Sequence, residues 1–147
     1  MSSSGIRFGE VSDLDFIMSL ERESLALPWP LSSVLALLEP DDEGPSFSFA
    51  CVAPSAGYVG VAGVLDEAEI GNLVVSPECR GQGAGYSLMK FALDELHRRG
   101  VKVVFLEVET SNNAAIALYK KCGFAEYGRR TDYYGPGRDA VLMRKNL

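Results

Sequence analysis

Ile70-Gly71-Asn72-Leu73-Val74-Val75-Ser76-Pro77-Glu78-Cys79-Arg80-Gly81-Gln82-Gly83-Ala84-Gly85-Tyr86 carries an apolar run into a glycine-dense turn and out into a helical pattern. Three glycines within five residues, Gly81, Gly83 and Gly85, let the backbone take positive φ and come close to a ligand. The following helix directs its first unpaired N–H groups into the turn, so turn and helix dipole together make a place for phosphate. The stretch therefore reads as strand, anion-binding loop and helix start. It is not a Walker loop, because Gly85 is followed by Tyr86-Ser87 in place of Lys-Ser/Thr. Nor does the glycine spacing meet the GxGxxG dinucleotide fingerprint, and the chain is too short for two mononucleotide-binding halves.

On the C-terminal side, Leu88, Ala92 and Leu96, with Met89 and Leu93 beside them, give a helical stripe from Gly85 to Arg99, stopped by Gly100. Val101 to Thr110 reads as a strand whose unbroken Val-Val-Phe-Leu centre predicts burial on both faces. Asn112-Asn113 starts a helix over Ala114 to Cys122, ended by Gly123, and Phe124–Tyr133 and Arg138–Leu147 pair as the last strands. On the N-terminal side, Ser46–Ala53, Gly57–Leu65 and Glu69–Ser76 read as three strands joined by hairpins, with Gly71 and Asn72 marking a bulge or splay in the third. Ile6–Phe8 opens a strand, and Ser12-Asp13 caps a helix whose Leu14, Ile17, Met18 and Leu25 recur at helical spacing. Pro28-Trp29-Pro30 ends that helix, Ser32-Ser33 begins a second through Leu38, and Glu39 to Pro45 is an acidic loop. Trp29 is expected as a core anchor. The order β-α-α-β-β-β-α-β-α-β-β predicts a mixed α/β domain in which a strand-helix-strand unit over 70–109 follows a meander.

With 147 residues, 47% hydrophobic and 23% charged, the chain has the material for one domain, taken here as 1–147. No apolar run approaches the roughly 18 residues of a membrane span, and Met-Ser-Ser-Ser-Gly is no signal peptide, so the expected compartment is the cytoplasm, with no membrane partner. Cys51, Cys79 and Cys122 are scattered without a CxxC pair, which supports neither a disulfide framework nor a metal site. His97, the only histidine, stands beside Arg98 and Arg99 at a helix end and reads as a surface residue. The net charge of −6 divides unevenly: residues 1–69 carry 2 basic and 12 acidic side chains, residues 70–147 carry 12 basic and 8 acidic. That division suits an anionic ligand on the second half and a cationic one near the first; solvated faces differing by chance account for it equally well. An acidic chain without a basic stripe among aromatics disfavours nucleic acid.

Arg80-Gly81-Gln82-Gly83-Ala84-Gly85 resembles the Arg/Gln-x-x-Gly-x-Gly/Ala signature of the GNAT acetyltransferases, and the element order is similar to that family over nearly the whole chain. Leu106-Glu107-Val108-Glu109, Ser111-Asn112-Asn113-Ala114-Ala115-Ile116-Ala117-Leu118-Tyr119 and Cys122-Gly123-Phe124 resemble the branch that acetylates N-terminal alanine of ribosomal proteins. In the first 45 residues only Pro28-Trp29 looks similar. The resemblance implies a single-domain acyl-CoA N-acyltransferase (GNAT) fold, a mixed and mostly antiparallel sheet flanked by helices, using acetyl-CoA and no metal. It implies that Leu73, Val74 and Val75 offer backbone groups to the pantetheine arm, that Arg80, Gly81, Gln82, Gly83, Ala84, Gly85 and Tyr86 hold the pyrophosphate, and that Asn112 touches the cofactor. It places the general base at Glu107, the general acid at Tyr119, and Tyr133 and Tyr134 beside the acceptor peptide. The acceptor it implies is a protein N-terminal amine, that of alanine in a small-subunit ribosomal protein.

From the residues alone, each of these positions keeps a second reading. Arg80 serves equally as a solvated surface charge. Glu107 and Glu109, two apart, read also as the wet side of a strand. Tyr119 reads as a core tyrosine with a satisfied hydroxyl, and Tyr133 and Tyr134 as packing around Gly135-Pro136-Gly137. Transfer to an amine needs a neutral nucleophile, a site for the developing oxyanion and a proton for the departing thiolate. An α-amine with a pKa near 8 meets the first demand more readily than a lysine near 10.4. Acetylation of lysine or a small amine, and a non-catalytic CoA-binding module, remain as alternatives.

Overall fold

The structure, a computed structural model, describes residues 5–39 and 44–147; residues 40–43 of the expected acidic loop lie outside the described residues. Seven strands form one sheet in the order β1-β2-β3-β4-β5-β7-β6. Their ranges are β1 Arg7–Phe8, β2 Ser46–Ala53, β3 Gly57–Val64, β4 Glu67–Val75, β5 Val103–Glu109, β6 Ala125–Gly135 and β7 Arg138–Asn146. The helices are α1 Leu14–Ser24, α2 Leu31–Leu38, α3 Ala84–Arg98 and α4 Asn113–Lys121. The element order expected from the sequence is the order observed.

Alternation along β2 shows how the sheet makes two cores. Phe49, Cys51 and Ala53 pack with Leu88, Met89, Ala92 and Leu96 of α3 on one face. Ala50 and Val52 pack with Ile17 and Leu20 of α1 and Val34 and Leu37 of α2 on the other. The α1 start differs from expectation. A short 3-10 turn over Val11–Asp13 precedes it, and the Asp13 carboxylate, not the Ser12 hydroxyl, accepts the Glu10 N–H at 2.8 Å while pairing with Arg7. Ser12 donates to Glu10 instead.

Two features of β4 create a cleft. Val59 pairs with Leu73 and Val61 with Ile70, so Gly71 and Asn72 on β4 oppose the single residue Gly60 on β3. This is the bulge anticipated at Gly71-Asn72. Beyond it, β4 leaves its other neighbour. The parallel pairing with β5 covers only Glu67–Glu69 against Val103–Phe105, whereas β5 goes on pairing with β7 to Glu109. The edges of Ile70–Val75 and Leu106–Glu109 that would face each other therefore diverge, and their main-chain groups must find partners elsewhere.

The expectation that β5 is buried on both faces is wrong. Val104, Leu106 and Val108 are buried against the α3 side, but Val103, Phe105, Glu107 and Glu109 are only half-buried. Among the described residues, that face of β5 stays partly open to solvent. An unbroken apolar run hid the alternation because Phe105 occupies an outward position, where its ring meets Tyr127 edge-on at 5.9 Å.

Candidate active site

The glycine loop fits an anionic ligand by its local geometry. Gly81 and Gly83 stand at φ 76° and 87°, where a side chain strains the backbone. Gly83 is the N-cap of α3 and offers no side-chain cap, and the first intrahelical bond runs from Ser87 N to Gly83 O. The N–H groups of residues 84–86 therefore leave the helix end without helical acceptors. Nothing lies within 4 Å of a Cβ built on Gly81, so the loop faces open space. At Gly85, a Cβ would stand 3.1 Å from Leu118 and 3.8 Å from Leu73 and Val75, which explains how α3 and α4 come close to the end of β4.

Exposed loop side chains bond back to the main chain. Arg80 Nε donates to the Val75 carbonyl at 3.1 Å, tying its guanidinium to the end of β4, and Gln82 Nε2 donates to the Glu78 carbonyl. Tyr86 lies under the Lys121 ammonium, 4.7 Å from the ring centroid. Asn112 caps α4, its Oδ1 accepting from Ala115 N at 3.2 Å. Leu73 and Val75 pack toward the α3 core and Val74 toward the α1 core, which leaves the β4 backbone edge to the cleft.

Across the cleft, the carboxylate and three tyrosines come together. Tyr133 Oη donates to Glu107 Oε2 at 2.9 Å, its ring meets Tyr134 edge-on at 4.9 Å, and Arg130 lies over it at 4.4 Å. The bond to Glu107, then burial, holds the Tyr133 phenol above its ordinary range. Burial pushes Tyr134 up to about 12, with the Glu107 charge adding to it. Tyr119 is buried against Phe124, and burial, then neighbouring Tyr134, raises its phenol to about 12. Arg138 meets Glu109 at 2.7 Å and holds that carboxyl below the usual range.

Two residues of this region escaped the sequence reading. Glu69 pairs in register with Phe105 and so lies on the same face as Glu107. Packing around its carboxyl, then the Glu107 charge, holds it above the usual range. Trp29 does pack against the α1–α2 core, but it also walls a cavity of about 220 Å³ with Leu37, Gly60, Ala62, Glu69 and Gly71. Among the described residues no cluster of His, Cys, Asp and Glu could hold a metal ion, and no helix is long and apolar enough to cross a membrane.

A sheet that opens between a bulged strand and its parallel neighbour, beside a helix N-terminus reached through glycines, is the frame of an acetyltransferase, and the Acetyltransferase (GNAT) family matches residues 14–124. The chain belongs to that family. It is 36% identical over 137 residues to the [ribosomal protein bS18]-alanine N-acetyltransferase of Escherichia coli K12, covering 91% of each chain. To the enzyme of the same description from Salmonella typhimurium it is 33% identical over 144 residues, covering 90% of each. The crystal structure of the Escherichia coli ribosomal-protein-S18-alanine N-acetyltransferase superposes with a TM-score of 0.82 at 33% identity, over 97% of this chain and 92% of that one. Ard1 from Thermoplasma volcanium gives a TM-score of 0.83 at 25% identity, over 97% of this chain and 96% of that one.

Proposed function

We propose that this enzyme transfers acetyl from acetyl-CoA to the α-amine at a protein N-terminus, that of alanine in a ribosomal protein, and that the whole chain, 1–147, is one such domain. The observation that carries the reading is the pairing of an uncapped, glycine-opened α3 terminus with a carboxylate, Glu107, on the strand across the split sheet. The relatives' acceptor, alanine of protein bS18, supplies the particular substrate.

Acetyl-CoA brings an activated acyl carbon and a thiolate leaving group. The N–H groups of residues 84–86 and the loop Gly81–Gly83 bind its phosphates, and the open edge of Leu73–Val75 aligns its arm as an added strand would be aligned. Arg80, bonded to Val75, stiffens the junction of these two surfaces. Gln82, Ala84 and Tyr86 complete the loop, and Asn112 brings the α4 end beside it.

Glu107 accepts one proton of the acceptor ammonium; the neutral nitrogen then forms the new C–N bond while the C–S bond breaks, and the second proton this nitrogen sheds balances the one delivered to sulfur. Tyr133 occupies Oε2 of Glu107 and so presents Oε1 to the amine. Glu69 adds a second carboxyl on the same face, and two facing acids favour an ammonium between them. Tyr119 stays protonated at neutral pH and donates to the departing sulfur. Because burial places its pKa near 12, above a thiol's ~8.5, it gives up this proton only as it takes the one shed by the acylated nitrogen, and until then it steadies the sulfur by a hydrogen bond. Tyr134 packs between this phenol and Tyr133 and borders the acceptor.

Glu107→Gln tests the arrangement: kcat falls by about 10²-fold or more, while calorimetry shows acetyl-CoA binding changed by less than about twofold. Equal loss of both identifies Glu107 as structural.

A further inference from the structure

Glu21 is a carboxylate that the proposed reaction does not use, and it is completely buried. Its Oε1 accepts the Trp29 backbone N–H at 2.7 Å, and its Oε2 accepts the Tyr58 hydroxyl at 2.5 Å. Asn72 Nδ2 donates to both oxygens, at 3.3 and 3.0 Å. Among the described residues no Lys, Arg or His forms an ion pair with it. Burying such a group is expensive unless its oxygens are satisfied, and here donors from three separate elements satisfy them. A helix residue with no surface to interact through therefore joins the α1–α2 connection, the start of β3 and the β4 bulge.

Of the three donors, Trp29 lines the cavity beside Glu69, and Asn72 directly follows Gly71 of its wall. Trp29 forms one side, and the bulge that brings Asn72 to Glu21 also brings Gly71 under the Trp29 ring. A Cβ on Gly71 would stand 2.5 Å from that ring. At the bulge two consecutive residues meet the same side of the sheet, Gly71 beneath Trp29 of the α1–α2 connection and Asn72 at Glu21 of α1, where a regular strand would present only one. The position of the indole is thus fixed from below by glycine and from behind by Glu21.

We infer that Glu21 is a positioning residue for the acceptor: by holding the Trp29 N–H and Asn72 together it sets the width of the cavity through which the acceptor amine reaches Glu69 and Glu107. This rests on the N-terminal acetylation reading. Glu21 bonds to Trp29, Tyr58 and Asn72, away from the phosphate loop and the α3 terminus; because Tyr58 pairs with Val74 and Asn72 precedes Leu73 of the edge given to the cofactor's arm, the acetyl-CoA KM is the control that separates acceptor from cofactor effects.

The test uses Glu21→Met, which keeps the volume and removes both acceptors, and Glu21→Gln, whose Oε1 still accepts from Trp29 while its amide donates to the turned-over Asn72 side chain and to the Tyr58 oxygen. With an alanine-starting peptide, Glu21→Met raises KM for the peptide by about tenfold and leaves KM for acetyl-CoA within about twofold, and Glu21→Gln restores the peptide KM. Trp29 is the only tryptophan, so acrylamide quenching reads its position without any acceptor; it increases in Glu21→Met and returns in Glu21→Gln. If Glu21→Met does not fold, Tyr58→Phe, which removes one donor only, shifts the peptide KM and the quenching in the same direction by less. Parallel changes in both Michaelis constants, or unchanged quenching, overturn the inference. Changed quenching together with no acetylation of any peptide by the unsubstituted enzyme faults the acceptor reading and leaves the Glu21 network standing.

Discussion

In the proposed reaction Glu107 and Tyr119 divide the proton work, and their surroundings make the division checkable. Tyr119→Phe removes the donor to sulfur but keeps the packing against Phe124, so kcat falls by about 10²-fold with folding stability within about 1 kcal/mol. A steady-state assay beside a thermal melt separates the two. Tyr133→Phe frees Glu107 Oε2 and lowers kcat by less than Glu107→Gln does. Both candidates were drawn from one continuous motif, residues 106–119. Glu69 was not. It sits among acids in a hairpin strand, and only the pairing with Phe105 puts it on the face of Glu107. Trp29 was read as a core anchor because a lone tryptophan between prolines carries no sign of a cavity beyond it. Its packing agrees with that reading, and its second role depends on the distant glycines 60 and 71.

The elements that matter most are those that interrupt regular structure. Gly83→Ala puts a side chain at φ 87° where α3 begins, costing about 1 kcal/mol of stability and weakening acetyl-CoA binding beyond that cost, since the N–H groups of residues 84–86 lose their aim. Chemical denaturation paired with acetyl-CoA calorimetry measures both. Asn112→Ala removes the α4 cap and destabilises by about 0.5–2 kcal/mol in the same denaturation experiment. The bulge was visible in the sequence as two poor strand residues, Gly71-Asn72, inside an apolar run. The outward face of β5 was not visible, since an apolar Phe105 and a half-buried Val103 look like core until that face is seen to stay partly open to solvent. The Ser12 cap failed for a related reason. Arg7, from another strand, recruits Asp13 and makes it the capping group.

At the scale of the molecule, several protonated groups are buried in the folded form. Burial raises Cys51 from 9.0 to about 12 and Tyr119 and Tyr134 from 10.0 to about 12, and pushes Tyr58 up further. The unfolded chain loses these protons first, so their stabilisation is complete below about pH 8.5 and is lost as pH climbs toward 12. Urea midpoints at intervals from pH 8 to 11 should fall progressively, and less steeply in Tyr119→Phe. The charge division also acquires a location: Glu67, Glu69 and Glu107 lie on one face of β4 and β5, while the loop over residues 80–86 belongs to the basic half. That pattern suits a cationic peptide end meeting an anionic cofactor, and the peptide's chemistry is the central claim. The most direct measurement is mass spectrometry of the products formed from acetyl-CoA and two peptides. One peptide begins with a free alanine and has no lysine; the other has a blocked N-terminus and internal lysines. Acetylation confined to the α-amine of the first is the predicted result, and acetylation of the lysine peptide contradicts the account.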